Sequence, residues 1–379
     1  MELGEIILIL LLPISALSGW YFASRSYKKT EEQGRSLSQY FAGLNFLLQE
    51  RPDKAIEVFV KMVEVDSDTV ETHLALGSLF RQRGEVDRAI RIHQNIIARP
   101  ALSKEQSAAA IHELAIDFLK AGLLDRAEHL FQQLVNDKTF GKRALYNLIN
   151  ISQVEKEWSK AIEFSTQLYR KGDKQIAVNL SNYLCEQAEV LEKEGEYRSA
   201  RSLLQRALEY NPVSVRAEIE LASIAFKQNK NKDGFSRLKE ALSKDPSYIP
   251  VLLNVFEQSG YKEKELILEF AETCLQEAPE SSAAILKIAK VYSESNDKER
   301  AKESLLTFLE DNPSIIVLRE LLNSYEIHLS SVDIADILDR KNLEEEVYYC
   351  NKCGYQASSM KWKCPSCQNW DCIKPDWHV

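Results

Sequence analysis

Apolar residues recur along most of the chain at three- and four-residue steps, and short polar turns interrupt them at intervals. The pattern is plainest from Glu71 to Ala98. Leu74, Leu76, Leu79 and Phe80 mark one segment and Val86, Ala89, Ile90 and Ile92 a second, with Arg83-Gly84-Glu85 between them. That period predicts two amphipathic helices joined by a tight glycine turn. A helix pair of this kind has two apolar faces and cannot bury both alone, so copies of it are expected on either side.

The copies are there. Gly43, Phe46, Ala55 and Phe59 mark one, and Leu114, Ala115, Phe118, Ala127 and Phe131 another. Leu145, Leu148 and Ala161 follow, then Ala188, Ala200, Ala207 and Pro212, then Leu221, Ala222, Ala241 and Pro246. A degenerate copy ends at Pro279, and Ile288, Ala289, Tyr292, Ala301, Phe308 and Pro313 make the last. The small residues Ala55, Ala89, Ala127, Ala161, Ala200, Gly234 and Ala301 stand 34, 38, 34, 39, 34 and 67 positions apart, with one copy hidden in the last interval. This is the 34-residue tetratricopeptide pattern, and it predicts an all-α solenoid of about eight repeats over residues 36–313. Insertions at Arg99–Gln106 and Gly172–Ile176 are expected to bend the array or divide it in two. Ile315–Leu329 and Val332–Leu338 read as closing helices within 314–346. Such arrays offer an extended concave surface to protein segments. By similarity to tetratricopeptide domains, the first-helix residues Arg81, His112, Arg143, Tyr146 and Asn150 are expected to face that groove; the plainer alternative is solvated surface.

The two ends differ from the middle. Ile6 to Ala23 is an uncharged run of 18 residues. As a helix it would be about 27 Å long, close to the hydrocarbon thickness of a bilayer. Trp20, Tyr21 and Phe22 suit the membrane interface. Acidic Glu2 and Glu5 precede the run and Arg25, Lys28, Lys29 and Arg35 follow it, the reverse of a signal peptide. Residues 1–24 are therefore read as a single-pass anchor and 25–35 as a basic juxtamembrane linker. The positive-inside rule then puts the short amino terminus outside and the bulk of the chain in the cytoplasm.

The formal net charge of −9 arises within residues 30–346, since both ends are slightly basic. An acidic middle repels phosphate backbones, so no nucleic-acid partner is expected. Five of the seven cysteines fall in the last 30 residues. Cys350-Asn351-Lys352-Cys353 and Cys364-Pro365-Ser366-Cys367 form two CxxC pairs, which predict a metal held by Cys350, Cys353, Cys364 and Cys367 in a module spanning 347–379. A disulfide framework is disfavoured on the cytoplasmic side. Four thiolates accept iron or zinc equally, so the spacing does not choose the metal. Cys372 reads as a spare thiol. Trp362, Trp370 and Trp377 either form the module's small core or dock it onto the acidic array. Cys185 and Cys274 read as small buried residues of the repeats. The chain has no GxxxxGK[ST] loop, GxSxG elbow or HExxH pair, and no enzyme activity is expected.

An anchor, a tetratricopeptide array and a terminal four-cysteine knuckle in this order resemble the lipopolysaccharide assembly protein B family of Gram-negative inner membranes. The wording is similar at Gly43-Leu44-Asn45-Phe46-Leu47-Leu48, Arg83–Gln94, Cys350–Cys353, Trp362–Cys367 and Ile373-Lys374-Pro375. The resemblance implies a regulatory adaptor that helps a membrane-anchored AAA+ protease degrade the deacetylase committing precursor to lipid A. It also implies contact with the lipopolysaccharide export machinery and other inner-membrane proteins, and a rubredoxin-like terminal module. Self-association is left open. One departure is Gln368, where a full rubredoxin knuckle has glycine; with the ten-residue spacer it counts against electron transfer more than against metal binding. The alternatives are an iron-containing electron carrier or a general membrane-tethered assembly scaffold.

Overall fold

A computed structural model of the protein describes residues 20, 41–43, 45–46, 51–65, 70–100, 102–325 and 348–375. The anchor, apart from Trp20, the linker, the second closing helix and Trp377 lie outside these residues. Among the described residues no helix is long and apolar enough to cross a membrane.

The helices are α1 (Pro52–Val65), α2 (Val70–Gln82), α3 (Val86–Ile97), α4 (Lys104–Lys120), α5 (Leu124–Leu134), α6 (Gly141–Val154), α7 (Trp158–Arg170) and α8 (Ala177–Lys193). They continue as α9 (Tyr197–Tyr210), α10 (Val215–Lys227), α11 (Asn231–Lys244), α12 (Ile249–Ser259), α13 (Lys264–Glu277), α14 (Ser282–Glu294), α15 (Lys298–Asp311) and α16 (Ile315–Ser324). From α2 onward they form antiparallel pairs, α2/α3 to α14/α15. Apart from α6, at the boundary of two compact units, the first helix of a pair packs on its own partner and, within each unit, on the first helix of the next pair. The protein is thus a mostly helical tetratricopeptide solenoid. It divides into two compact units, Met1–Ile151 and Ser152–Val379. That boundary falls inside α6 and coincides with neither insertion. Both insertions are instead built into the array: Ser103 and Gln106 form a capping box that opens α4, and Lys174–Ile176 is a 3-10 turn leading into α8.

The turn inside each pair closes in one way. Gly84, Gly122, Lys156, Gly195, Asn229, Gly260 and Asn296 all have positive φ. The next residue's N–H then reaches back over the helix end, as Glu85 does to the Phe80 carbonyl at 2.9 Å and Glu157 to that of Ser152 at 2.8 Å. This is the Schellman arrangement, which satisfies carbonyls the helix leaves open.

Small residues sit where the paired helices come closest. Ala55, Ala89, Ala127, Ala161, Ala200 and Ala301 are completely buried. In the first unit, a Cβ on Gly77 would lie 2.4 Å from His93 Nε2, so glycine makes room for that ring. His93 is fully buried, and its Nδ1 pairs with the Asp117 carboxylate. Asp117 also takes the Arg81 guanidinium at 2.7 Å, while the other arm of Arg81 holds Glu113 at 2.7 Å. Burial alone would raise the Glu113 carboxyl, but the His112 ring beside it and hydrogen bonds from Arg81 and Ser78 bring it down to about 2. His93, a polar side chain on a buried helix face, therefore ties α3 to α4 through an ion-paired network.

Cys185 and Cys274 are buried within the second unit's cores, as their helical settings suggest. After α16, three short strands form an antiparallel sheet in the order β2-β1-β3, with β1 Tyr348–Cys350, β2 Gln356–Ala357 and β3 Ile373–Pro375.

Candidate metal centre and its docking face

The sheet carries two turns that end in matching knuckles. Gly354 N–H donates to the Cys350 carbonyl and Gln368 N–H to that of Cys364, each at 2.9 Å. Each turn places its two thiols on the same side. Gly354 and Gln368 both have positive φ, 74° and 59°. Gln368 thus adopts the backbone that glycine would take, and its amide donates to the Pro365 carbonyl at 2.6 Å. The departure from glycine leaves the knuckle intact.

The four sulfurs of Cys350, Cys353, Cys364 and Cys367 lie within 4.8 Å of one another. Cys350 to Cys367 and Cys353 to Cys364 are both 3.7 Å. A tetrahedron with metal–sulfur bonds of about 2.3 Å has edges of about 3.8 Å, so the cage fits one ion with four thiolates. Its electrostatics are prepared in part. Hydrogen bonding from Asn369 lowers the Cys367 thiol to about 6, whereas burial lifts Cys364 to about 11. A bound cation would hold all four as thiolates. Cys372 is buried at 3.5 Å from the Cys350 sulfur and donates to the Asn369 carbonyl. Burial keeps its thiol up at about 12, so it stands beside the cage as a neutral S–H.

The module is not free-standing. Trp362 stacks on Tyr248 with ring centroids 5.7 Å apart, and Trp370 meets Tyr183 edge-on at 5.9 Å. Between them lies Arg216, 1% exposed, with its guanidinium 5.7 Å from the Trp362 ring and 5.8 Å from the Trp370 ring. Asn182 Nδ2 donates to Asp371 at 2.8 Å, Tyr248 Oη to the Ile373 carbonyl at 3.3 Å, and Lys374 pairs with Asp245. Trp362 and Met360 also pack against the core of the second unit. Of the two roles open to these tryptophans, docking is the one Trp362 and Trp370 perform.

Arg216 is held by Glu220 at 2.6 Å and Glu186 at 3.0 Å, with Glu189 at 3.6 Å. Glu220 Oε2 is buried with no hydrogen-bond partner. Burial, reinforced by Glu189 and Glu186, outweighs Arg216 and pushes the Glu220 carboxyl up to about 7. Sequence reasoning missed this face. Its one visible signal is an arginine set among the apolar residues Val215, Ala217 and Ile219 near the start of α10.

The expected groove set separates. Arg143 and Asn150 are exposed, and Tyr146 is 42% exposed on the same helix, α6. Arg81 is half-buried, its guanidinium engaged in the Glu113 and Asp117 ion pairs. His112 is buried, with Phe140 at 4.8 Å and Phe131 at 6.1 Å between ring centroids. Packing between repeats claims both side chains.

Fold and site together define a class: a tetratricopeptide-repeat protein with a rubredoxin-like four-cysteine metal module. Residues 348–375 match the family described as "Rubredoxin metal binding domain", and 72–105, 185–249 and 283–314 match tetratricopeptide repeats. Lipopolysaccharide assembly protein B of Escherichia coli strain K12 is 34% identical over 97% of both chains. The protein of that name from Haemophilus influenzae is 35% identical over 97% of this chain and 98% of its own. The chain belongs to the lipopolysaccharide assembly protein B family. Among solved structures, the C-terminal part of a repeat protein from Cytophaga hutchinsonii superposes with a TM-score of 0.41 at 15% identity, covering 74% of this chain and 99% of its own.

Proposed function

We propose that the protein is a non-catalytic adaptor in lipopolysaccharide assembly, tethered to the inner membrane by residues 1–24 with its bulk in the cytoplasm. The observation that carries this reading is the full-length match, 34–35% over 97% of the chain, to proteins named for lipopolysaccharide assembly. The tetratricopeptide array supports it, since such arrays hold protein segments rather than transform small molecules. A tether at the membrane raises the effective concentration of the array near other membrane proteins. In this reading the partners are a membrane-anchored AAA+ protease and the deacetylase that commits precursor to lipid A, whose degradation the adaptor promotes. The lipopolysaccharide export proteins are further partners. The four cysteines hold iron or zinc, whose part is to fold the module and seat it on the array.

Arg143, Tyr146 and Asn150 supply the exposed positions at which to test this. A photo-crosslinking residue in place of Arg143, with the anchor intact in living cells, is expected to capture the protease or the deacetylase. Recovery of neither, with the protein at its normal level, would count against the adaptor reading.

A further inference from the structure

The side chains that receive the metal module come from three consecutive helix pairs and set polar groups among tyrosine rings and Val251. Asn182 and Tyr183 stand on α8, Arg216 on α10, and Asp245 and Tyr248 at the entry to α12. Asn182 and Arg216 are each 1% exposed under the module. A contact never opened to water is more stably built from apolar side chains, because a buried guanidinium and its carboxylates carry a desolvation cost. Polar surfaces of this kind suit contacts that also exist apart.

Most of the contacts go to one run of five residues. Trp370 meets Tyr183 and Arg216, and Asp371 accepts from Asn182. The Ile373 carbonyl accepts from Tyr248 and Lys374 pairs with Asp245. The run crosses the first helices of successive pairs, the part of a helical-repeat array that holds extended segments. It ends in β3, whose other neighbour is β1. The metal knuckles shape it: Asp371 has φ +52°, and its N–H donates to the Trp362 carbonyl at 2.8 Å.

We propose that residues 370–374 are an intramolecular occupant of a peptide-binding face formed by α8, α10 and the entry to α12. The same face takes in trans a protein segment with an aromatic residue, an acidic residue beside it at which the chain turns as it does at Asp371, and a lysine three positions beyond that acidic residue. This deepens the adaptor reading and rests on it. The internal segment is preorganised and present at high effective concentration, so an outside segment enters only when the module is displaced.

The probe is a fluorescent peptide of residues 368–375 carrying Cys372→Ser, added to the purified full-length chain. Trp370→Ala with Lys374→Glu opens the face and leaves all four metal ligands in place. Binding at least about tenfold tighter to this variant than to the wild type is expected. Adding Asn182→Ala and Asp245→Ala should abolish it, as should exchanging the peptide's lysine for glutamate. Three results overturn the proposal: no peptide binding to a variant whose module is shown by proteolysis to be undocked, equal binding to the wild type, or a module that stays docked without Trp370 and Lys374. Because the assay needs neither protease nor deacetylase, its failure would leave cross-linking in cells unaffected, and the two readings fail separately.

Discussion

Arg216 and Glu220 show at the scale of single residues how much a charge depends on what covers it. Arg216 sits in a helix of ordinary amphipathic pattern, yet it is among the most buried large side chains because Trp362 and Trp370 close over it. Glu220 follows from Arg216: one oxygen is paired, the other is buried without a partner, and burial raises its carboxyl to about 7. A carboxyl raised on folding binds more protons in the folded than in the unfolded state between its two pKa values. Stability from this group is therefore greatest in acid and falls as pH rises from about 4.5 to about 7, by at most about 3 kcal/mol. Comparing urea unfolding of the wild type and Glu220→Gln across pH 5 to 8 is expected to show that slope in the difference between them. A flat difference would mean Glu220 is ionised throughout. The four metal ligands, in contrast, were legible in the sequence. Two CxxC turns each hold their own thiols close together, whatever packs around them.

At the scale of elements, the helix pairs were legible because two local rules act together. Small residues recur at the close approach, and a residue tolerant of positive φ recurs at the inner turn. The copy missing from the 67-residue interval shows where such reading stops. In that pair Ile267, 33 positions after Gly234 and 34 before Ala301, fills the small-residue place and is still buried. The core takes in this larger side chain, which periodicity alone cannot reveal. The turn rule gives a prediction at Lys156, which has a side chain in the left-handed region at φ 57°. Lys156→Gly should relieve about 1 kcal/mol of strain. The check is a higher urea midpoint with an unchanged slope; a lower midpoint would show that Lys156 contributes contacts worth more than its strain.

The whole molecule joins an array that folds by stacking to a module that is too small to do so. The module's own buried cluster is small, made of Tyr348, Cys350, Cys364, Cys372 and Ile373. Metal binding can supply on the order of 10 kcal/mol to such a domain. Cys364→Ser should therefore lose the ion and release the module while the helical repeats persist. Metal analysis would find the ion absent, Trp362 and Trp370 would emit at longer wavelength, and cleavage would appear within 348–375. A metal-free variant with the wild-type cleavage pattern would show that array contacts alone hold the module. Orientation at the membrane is tested by a reporter fused after Val379, which is expected to be active only on the cytoplasmic side. Activity in the periplasm would reverse the proposed topology.

Local order determined most of this protein in advance: the repeats, because each helix pair obeys short-range periodicity and turn chemistry, and the cysteine cage, because its ligands are two turns of four residues. Tertiary structure alone decided what those parts do to one another. It engaged Arg81 in ion pairs, buried His112, and set Trp362 and Trp370 against the array. It also brought Asn182 to Asp371, 189 positions apart in the chain. Contacts at such separation depend on how many intervening helices stack and at what angle, a sum of small rotations that no single stretch of sequence carries.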